Sequence, residues 1–106
     1  MTVDLTGQTL AAVSLDFTVT LTTEEGWDVA IEDETLARDD TLAAALTRAV
    51  GQPITAFSID HGTLSLDVGD AHLRAAPDPT FEAWNVAGPD KQLVVCMPGG
   101  ELAIWS

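Results

Sequence analysis

Phe57-Ser58-Ile59-Asp60-His61-Gly62-Thr63-Leu64-Ser65-Leu66-Asp67-Val68-Gly69-Asp70-Ala71-His72-Leu73-Arg74-Ala75 is the stretch that decides the fold. Apolar and polar residues alternate between two short turn signals, the pattern of half-buried strands. His61-Gly62 and Gly69-Asp70 are residue pairs that tolerate the positive φ of two-residue hairpins. Folding back at the first turn sets Ile59 opposite Leu64, Phe57 opposite Leu66 and Ser58 opposite Ser65. At the second, Val68 meets Ala71, Leu66 meets Leu73 and Leu64 meets Ala75, with Asp67 beside His72 on the wet face. A slip of one residue would turn each apolar set to solvent. Turn chemistry and side-chain pattern therefore agree on a three-stranded antiparallel meander.

Working towards the N-terminus, Ala11, Val13, Leu15, Phe17, Val19 and Leu21 alternate with Ser14, Asp16, Thr18 and Thr20. Residues 11–21 read as one long half-buried strand with a threonine-rich wet face. After Glu24-Glu25-Gly26 the alternation resumes at Trp27, Val29 and Ile31. A three-residue turn with Gly26 left-handed pairs Leu21 with Val29 and Val19 with Ile31. Asp39 or Asp40 then caps a helix in which Leu42, Ala45, Leu46, Ala49 and Val50 follow helical spacing, with Gly51 and Pro53 beyond its end. Its small apolar stripe suits a cover over one sheet face.

Towards the C-terminus, Pro77-Asp78-Pro79 breaks the pattern, because proline donates no ladder hydrogen bond. Residues 81–86 read as a strand, residues 93–97 are apolar throughout, and Pro98-Gly99-Gly100-Glu101 turns into a last strand over 102–105. Paired apolar runs suggest central strands covered on both faces. The expected fold is α+β and mainly β: an antiparallel sheet or sheets of about eight short strands in meander and hairpin order, with one short helix. Residues 1–106 form a single domain in this reading. One sheet, a sandwich and a barrel all fit the pattern.

Seventeen acidic residues against four basic ones give a net charge of −13 on 106 residues that are otherwise 46% hydrophobic. That apolar fraction is too high for a disordered acidic tail. The chain must fold and carry its charge outward, a field that favours a basic protein partner and repels nucleic acid. No run approaches the ~20 apolar residues of a membrane helix. Met1-Thr2-Val3-Asp4 lacks the basic and apolar regions of a signal peptide, and a lone cysteine excludes an internal disulfide. The expectation is a cytoplasmic protein without membrane association; its oligomeric state is open.

Catalytic readings are weak. Cys96 lies within Leu93-Val94-Val95-Cys96-Met97, where a thiol behaves as a small hydrophobe with a raised pKa. His61 sits in a tight turn and His72 is a cross-strand partner of Asp67, so the two stand at opposite ends of a shared strand and do not converge on a metal. No phosphate loop, dinucleotide motif, nucleophile elbow or metalloprotease helix is present, and neither Asp60-His61-Gly62 nor Asp67-Val68-Gly69-Asp70 supplies the ligands of a calcium loop. We expect no enzyme activity, cofactor or metal. Trp84 and Trp105 read as core residues, whereas Trp27 opens a strand where its edge can be wet.

Eight of the seventeen acids, Glu24, Glu25, Asp28, Glu32, Asp33, Glu34, Asp39 and Asp40, are offset only by Arg38. A solvated rim with helix-capping acids explains this pattern, and so does a docking surface. The expected partner-binding residues are Glu24, Glu25, Trp27, Asp28, Glu32, Asp33 and Glu34, with Trp27 as aromatic anchor.

Pro77-Asp78-Pro79-Thr80-Phe81-Glu82-Ala83-Trp84-Asn85-Val86, Gly88-Pro89-Asp90 and Val95-Cys96-Met97-Pro98-Gly99-Gly100-Glu101-Leu102-Ala103-Ile104-Trp105 resemble a family of small, mostly actinobacterial proteins, domain of unknown function 6188. Leu5-Thr6-Gly7-Gln8-Thr9-Leu10 and Leu15-Asp16-Phe17 extend the resemblance over nearly the whole chain. It implies no assigned activity and no catalytic residues. Phe81 stands where the resemblance leads us to expect tyrosine, which favours a packing role there. The Glu-Ala-Trp segment is also similar to strands of immunity proteins that neutralise secreted bacterial toxins. The function expected is a non-catalytic acidic protein-binding module of that immunity type. The alternative is a small assembly subunit that self-associates through sheet edges.

Overall fold

The computed structural model describes residues 3–105. Its strands are β1 (Leu10–Leu15), β2 (Val19–Thr23), β3 (Asp28–Ile31), β4 (Ile54–Asp60), β5 (Thr63–Val68), β6 (Ala71–Ala75), β7 (Trp84–Ala87), β8 (Leu93–Cys96) and β9 (Leu102–Trp105). Two helices, α1 (Glu34–Ala37) and α2 (Asp40–Ala49), lie between β3 and β4. The strands form a six-stranded sheet, β1-β2-β3-β7-β8-β9, and a three-stranded sheet, β4-β5-β6. Every neighbouring pair is antiparallel. The mainly β, antiparallel α+β architecture is the expected one. A one-turn helix, capped by Asp33, precedes the expected helix.

The small sheet has the register its turns dictate, from Ile59 opposite Leu64 to Val68 opposite Ala71. His61 and Gly62 both have positive φ, whereas of Gly69 and Asp70 only the glycine does, so the two hairpins use different primed turns. Burial alternates along β5 and β6, with Leu64, Leu66, Val68, Ala71, Leu73 and Ala75 inward. Asp39 caps α2 by accepting from the Leu42 amide at 3.1 Å. Leu42, Ala45, Leu46 and Ala49 then face β6 and β1. Val50, expected on that stripe, is the C-cap residue and is exposed.

Residues 11–21 are not one strand. They turn at residues 16–18 into the hairpin β1–β2, with Leu15 opposite Val19 and Val13 opposite Leu21. Opposed residues share a face, and a three-residue loop pairs odd positions with odd ones, so the alternation passes through the turn unbroken. Phe17, at the tip, is 77% exposed rather than buried. Beyond it, Leu21 pairs with Val29 and Val19 with Ile31, and Gly26 has φ +94, as expected. Phe81 lies ahead of β7 instead of within a strand, and it is half-exposed. Trp84 has no solvent exposure, but Trp105 is 53% exposed, which overturns its reading as a core residue.

The decisive long-range pairing is β3 with β7, Ile31 opposite Trp84 and Val29 opposite Val86. It inserts both helices and the whole small sheet between two adjacent strands of the large one. At one corner the sheets are stitched directly, with the Gly7 amide donating to the Ile54 carbonyl at 2.8 Å and the Leu10 amide to Gln52 at 3.0 Å. One apolar cluster joins the inner faces of both sheets and α2. Burying each large aliphatic residue of that cluster contributes roughly 1.5–3 kcal/mol.

The tip of the β4–β5 hairpin is driven into the large sheet. Its Gly62 carbonyl accepts from the Trp84 indole at 2.9 Å and from the Cys96 thiol at 3.5 Å, both buried. Gly62 has φ +81, and a Cβ there would lie 2.8 Å from the Gly100 carbonyl oxygen. Backbone of Gly62 therefore rests on backbone of Gly100.

Candidate functional site

The expected docking residues are strung along β3, and this strand separates them. Four residues at about 3.3 Å each place roughly 13 Å between the acids at its two ends. Glu24, Glu25, Trp27 and Asp28 stand at its start, and Glu32, Asp33 and Glu34 at its finish. They do not form one patch.

The first group is engaged in local structure. Glu25 accepts from the Thr9 amide at 3.1 Å, and the Thr22 hydroxyl donates to Asp28 at 2.8 Å. The Trp27 amide donates to the Thr23 hydroxyl at 3.1 Å. The indole is half-buried against the core and lies so close to Gly88 that a Cβ there would meet the ring at 2.9 Å. Trp27 thus packs the β2–β3 turn onto the loop after β7, and little of it is left to anchor a partner.

The second group lines a cleft of about 240 Å³, formed by Glu32, Asp33 and Glu34 on one side and Ala76, Pro77 and Asp78 on the other, with Phe81 on its rim. The Glu32 amide donates to the Ala83 carbonyl at 2.9 Å, which fixes the floor. Asp33 is committed to capping α1, accepting from the Thr35 and Leu36 amides. Glu34 reaches Arg38 at 4.0 Å, an exposed pair that contributes little and leaves the carboxylate available. The Thr80 hydroxyl, at 2.7 Å, and then the Thr80 amide, at 2.8 Å, hold the Asp78 carboxyl below its ordinary range, so it stays ionised. The cleft is smaller than the ~300–1,000 Å³ usual for small-molecule sites, and matches a single inserted side chain.

Three residues of this end escape a reading of the sequence: Asp78, Phe81 and Phe17. The Thr18 hydroxyl donates to Glu32 at 3.3 Å, which brings the exposed Phe17 turn to the same end of the sheet. Asp78-Pro79-Thr80 is the one legible sign, since an aspartate two residues before a threonine amide forms a side-chain turn. Phe81 is not purely a packing residue, because nearly half of it meets solvent.

The remaining candidates stand apart. Burial pushes the Cys96 thiol up, away from the reactive thiolate. His61 contacts Asp60 and His72 contacts Asp67, each at 2.8 Å on the exposed surface. Among the described residues no three histidine, cysteine or acidic side chains converge as metal ligands. No described helix is long and apolar enough to cross a membrane.

A profile described as "Family of unknown function (DUF6188)" matches residues 1–106. The chain belongs to that family. No curated protein and no solved structure matches the chain. Trp84 donates to the Gly62 carbonyl and Gly100 lies against the Gly62 backbone, which makes these residues part of the fold's support.

Proposed function

We propose that this family member is a non-catalytic acidic module that binds a basic protein, acting as an immunity-type inhibitor of a bacterial toxin. The observation that carries the reading is the cleft of Glu32, Glu34 and the held-ionised Asp78, rimmed by Phe81 and neighboured by exposed Phe17. Fixed carboxylates beside solvent-exposed aromatics suit a lysine or arginine inserted from a protein surface, with the rings as apolar contacts around it. The net charge of −13 accelerates encounter with such a partner. Inhibition needs no chemistry from the inhibitor, only occupation of a cationic surface on its target.

The test compares two charge-reversal sets as baits in native lysate. Glu32→Lys, Glu34→Lys and Asp78→Lys together should lose the basic proteins that the unaltered chain retains, and slow association at low salt at least about tenfold. Glu24→Lys, Glu25→Lys and Asp28→Lys, carrying the same change in charge, should retain them. Equal retention by both sets, or equal loss, would remove the cleft from the binding surface.

A further inference from the structure

Among the described residues β9 has a partner on one side only, β8. The Met97 amide donates to the Glu101 carbonyl at 2.7 Å, so Glu101, Ala103 and Trp105 turn their backbone groups towards β8. Leu102 and Ile104 consequently direct theirs away from β8. Among the described residues no strand pairs with this edge. Leu102-Ala103-Ile104-Trp105 has no proline, no charged residue and no bulge, so its only protection of this kind is its four-residue length.

Beside the edge runs a groove of about 390 Å³, walled by Phe57 and Ile59 of β4, Val94 of β8, and Leu102 and Ile104 of β9, with Val3 and Asp4 across its mouth. It shares no residue with the acidic cleft. Hydrogen bonds from the Thr6 hydroxyl and amide keep Asp4 below the ordinary carboxyl range, so the groove mouth carries a permanent negative charge.

Charge selects the occupant. A second copy would bring another −13 to the same edge. A cationic strand is drawn in by the same field. In an added antiparallel strand, every second side chain lies over the groove with Leu102 and Ile104, and the others lie on the outer face along Ala103 and Trp105. The groove accepts apolar side chains, while the exposed face of Trp105 suits lysine or arginine. We propose that β9 takes an extended segment of a cationic protein partner as a seventh strand of the large sheet, its apolar residues in the groove and its basic residues along Trp105. This rests on the partner being basic, but it uses a surface distinct from the cleft.

The probe is a capped decapeptide of alternating valine and lysine, added to the full chain and followed by amide exchange and fluorescence anisotropy. Binding should slow exchange at the Leu102 and Ile104 amides and leave Ala103 and Trp105, already bonded to β8, unchanged. Ile104→Pro, which removes an outward amide without touching the β8 ladder, should weaken binding about tenfold. Ile104→Lys should weaken it comparably through like charge and loss of the groove wall, and provides the check if the proline variant misfolds. A peptide with glutamate in place of lysine should not bind. Undiminished affinity of both variants, or unchanged exchange at Leu102, would overturn the proposal. So would protection of these amides without peptide in a species that sediments as a dimer, which gives the edge to a second copy. The Glu32, Glu34 and Asp78 reversal should still protect Leu102, so cleft and edge fail separately.

Discussion

The two sheets meet at two seams of opposite character. Around Gly62 the seam is closed: one buried carbonyl receives two donors, and glycine backbone lies on glycine backbone. Between β4 and β9 it is open: the apolar side chains on either side leave a groove, and the strand edge is bare. The same β4–β5 hairpin takes part in both. A buried polar node joins the sheets at one seam, and the proposed binding edge lies at the other. If the proposed edge binds, stability and recognition fall to different residues, and the contrast can be attacked from either side.

The largest effect is expected at the closed seam. Trp84→Ala should cost about 3–5 kcal/mol, from lost burial and the cavity left behind, measured by denaturant unfolding. Trp84→Phe retains most of the packing and removes the indole donor, and about 1–3 kcal/mol should follow from a Gly62 carbonyl left with only a thiol. If the phenylalanine variant were as stable as the parent, the polar node would be incidental to docking.

Next in size is a glycine pair. Gly62 and Gly99 both have positive φ, but a Cβ at Gly62 meets the Gly100 oxygen at 2.8 Å whereas at Gly99 it meets nothing within 4 Å. Gly99→Ala should therefore cost about 1–2 kcal/mol from backbone strain alone. Gly62→Ala should cost at least about 1 kcal/mol more, because backbone must move. Equal losses would show that contact between the hairpin tip and the Pro98 turn is loose.

What a sequence can reveal follows from range. The β4–β5–β6 register was legible because each hairpin is closed by adjacent residues whose conformational tolerance names the turn. The β1–β2 hairpin was hidden: Asp16-Phe17-Thr18 contains no glycine or proline, and an odd loop preserves the alternation. Pairing of β3 with β7 was beyond reach, since no local signal states which strand a distant one will join. The acid cluster is divided for a related reason. Nearness in sequence placed Glu24 with Glu34, but an extended strand between them carries them apart, while the fold brings Asp78 and Phe81 to Glu32 from the far side of the small sheet. Trp105 failed as a core residue because edge strands and central strands share the same apolar composition.

The smallest effect tests the open seam. Ile104 is opposite Val94 and 49% exposed, so about half of its side chain already lies in water. Replacing it with lysine forfeits only the buried half, and the long aliphatic stem of lysine can cover part of the same surface while its charge extends outward. The expected loss is under about 1 kcal/mol, small beside either substitution at the Gly62 seam. Chemical denaturation monitored through tryptophan fluorescence provides the measurement. A loss above about 2 kcal/mol would mean that Ile104 closes the core against Phe57 and Ile59, and the groove would then belong to the fold's interior. A loss within the expected range, together with weakened strand binding, separates recognition from stability at one residue, which is what an edge held open for a partner requires.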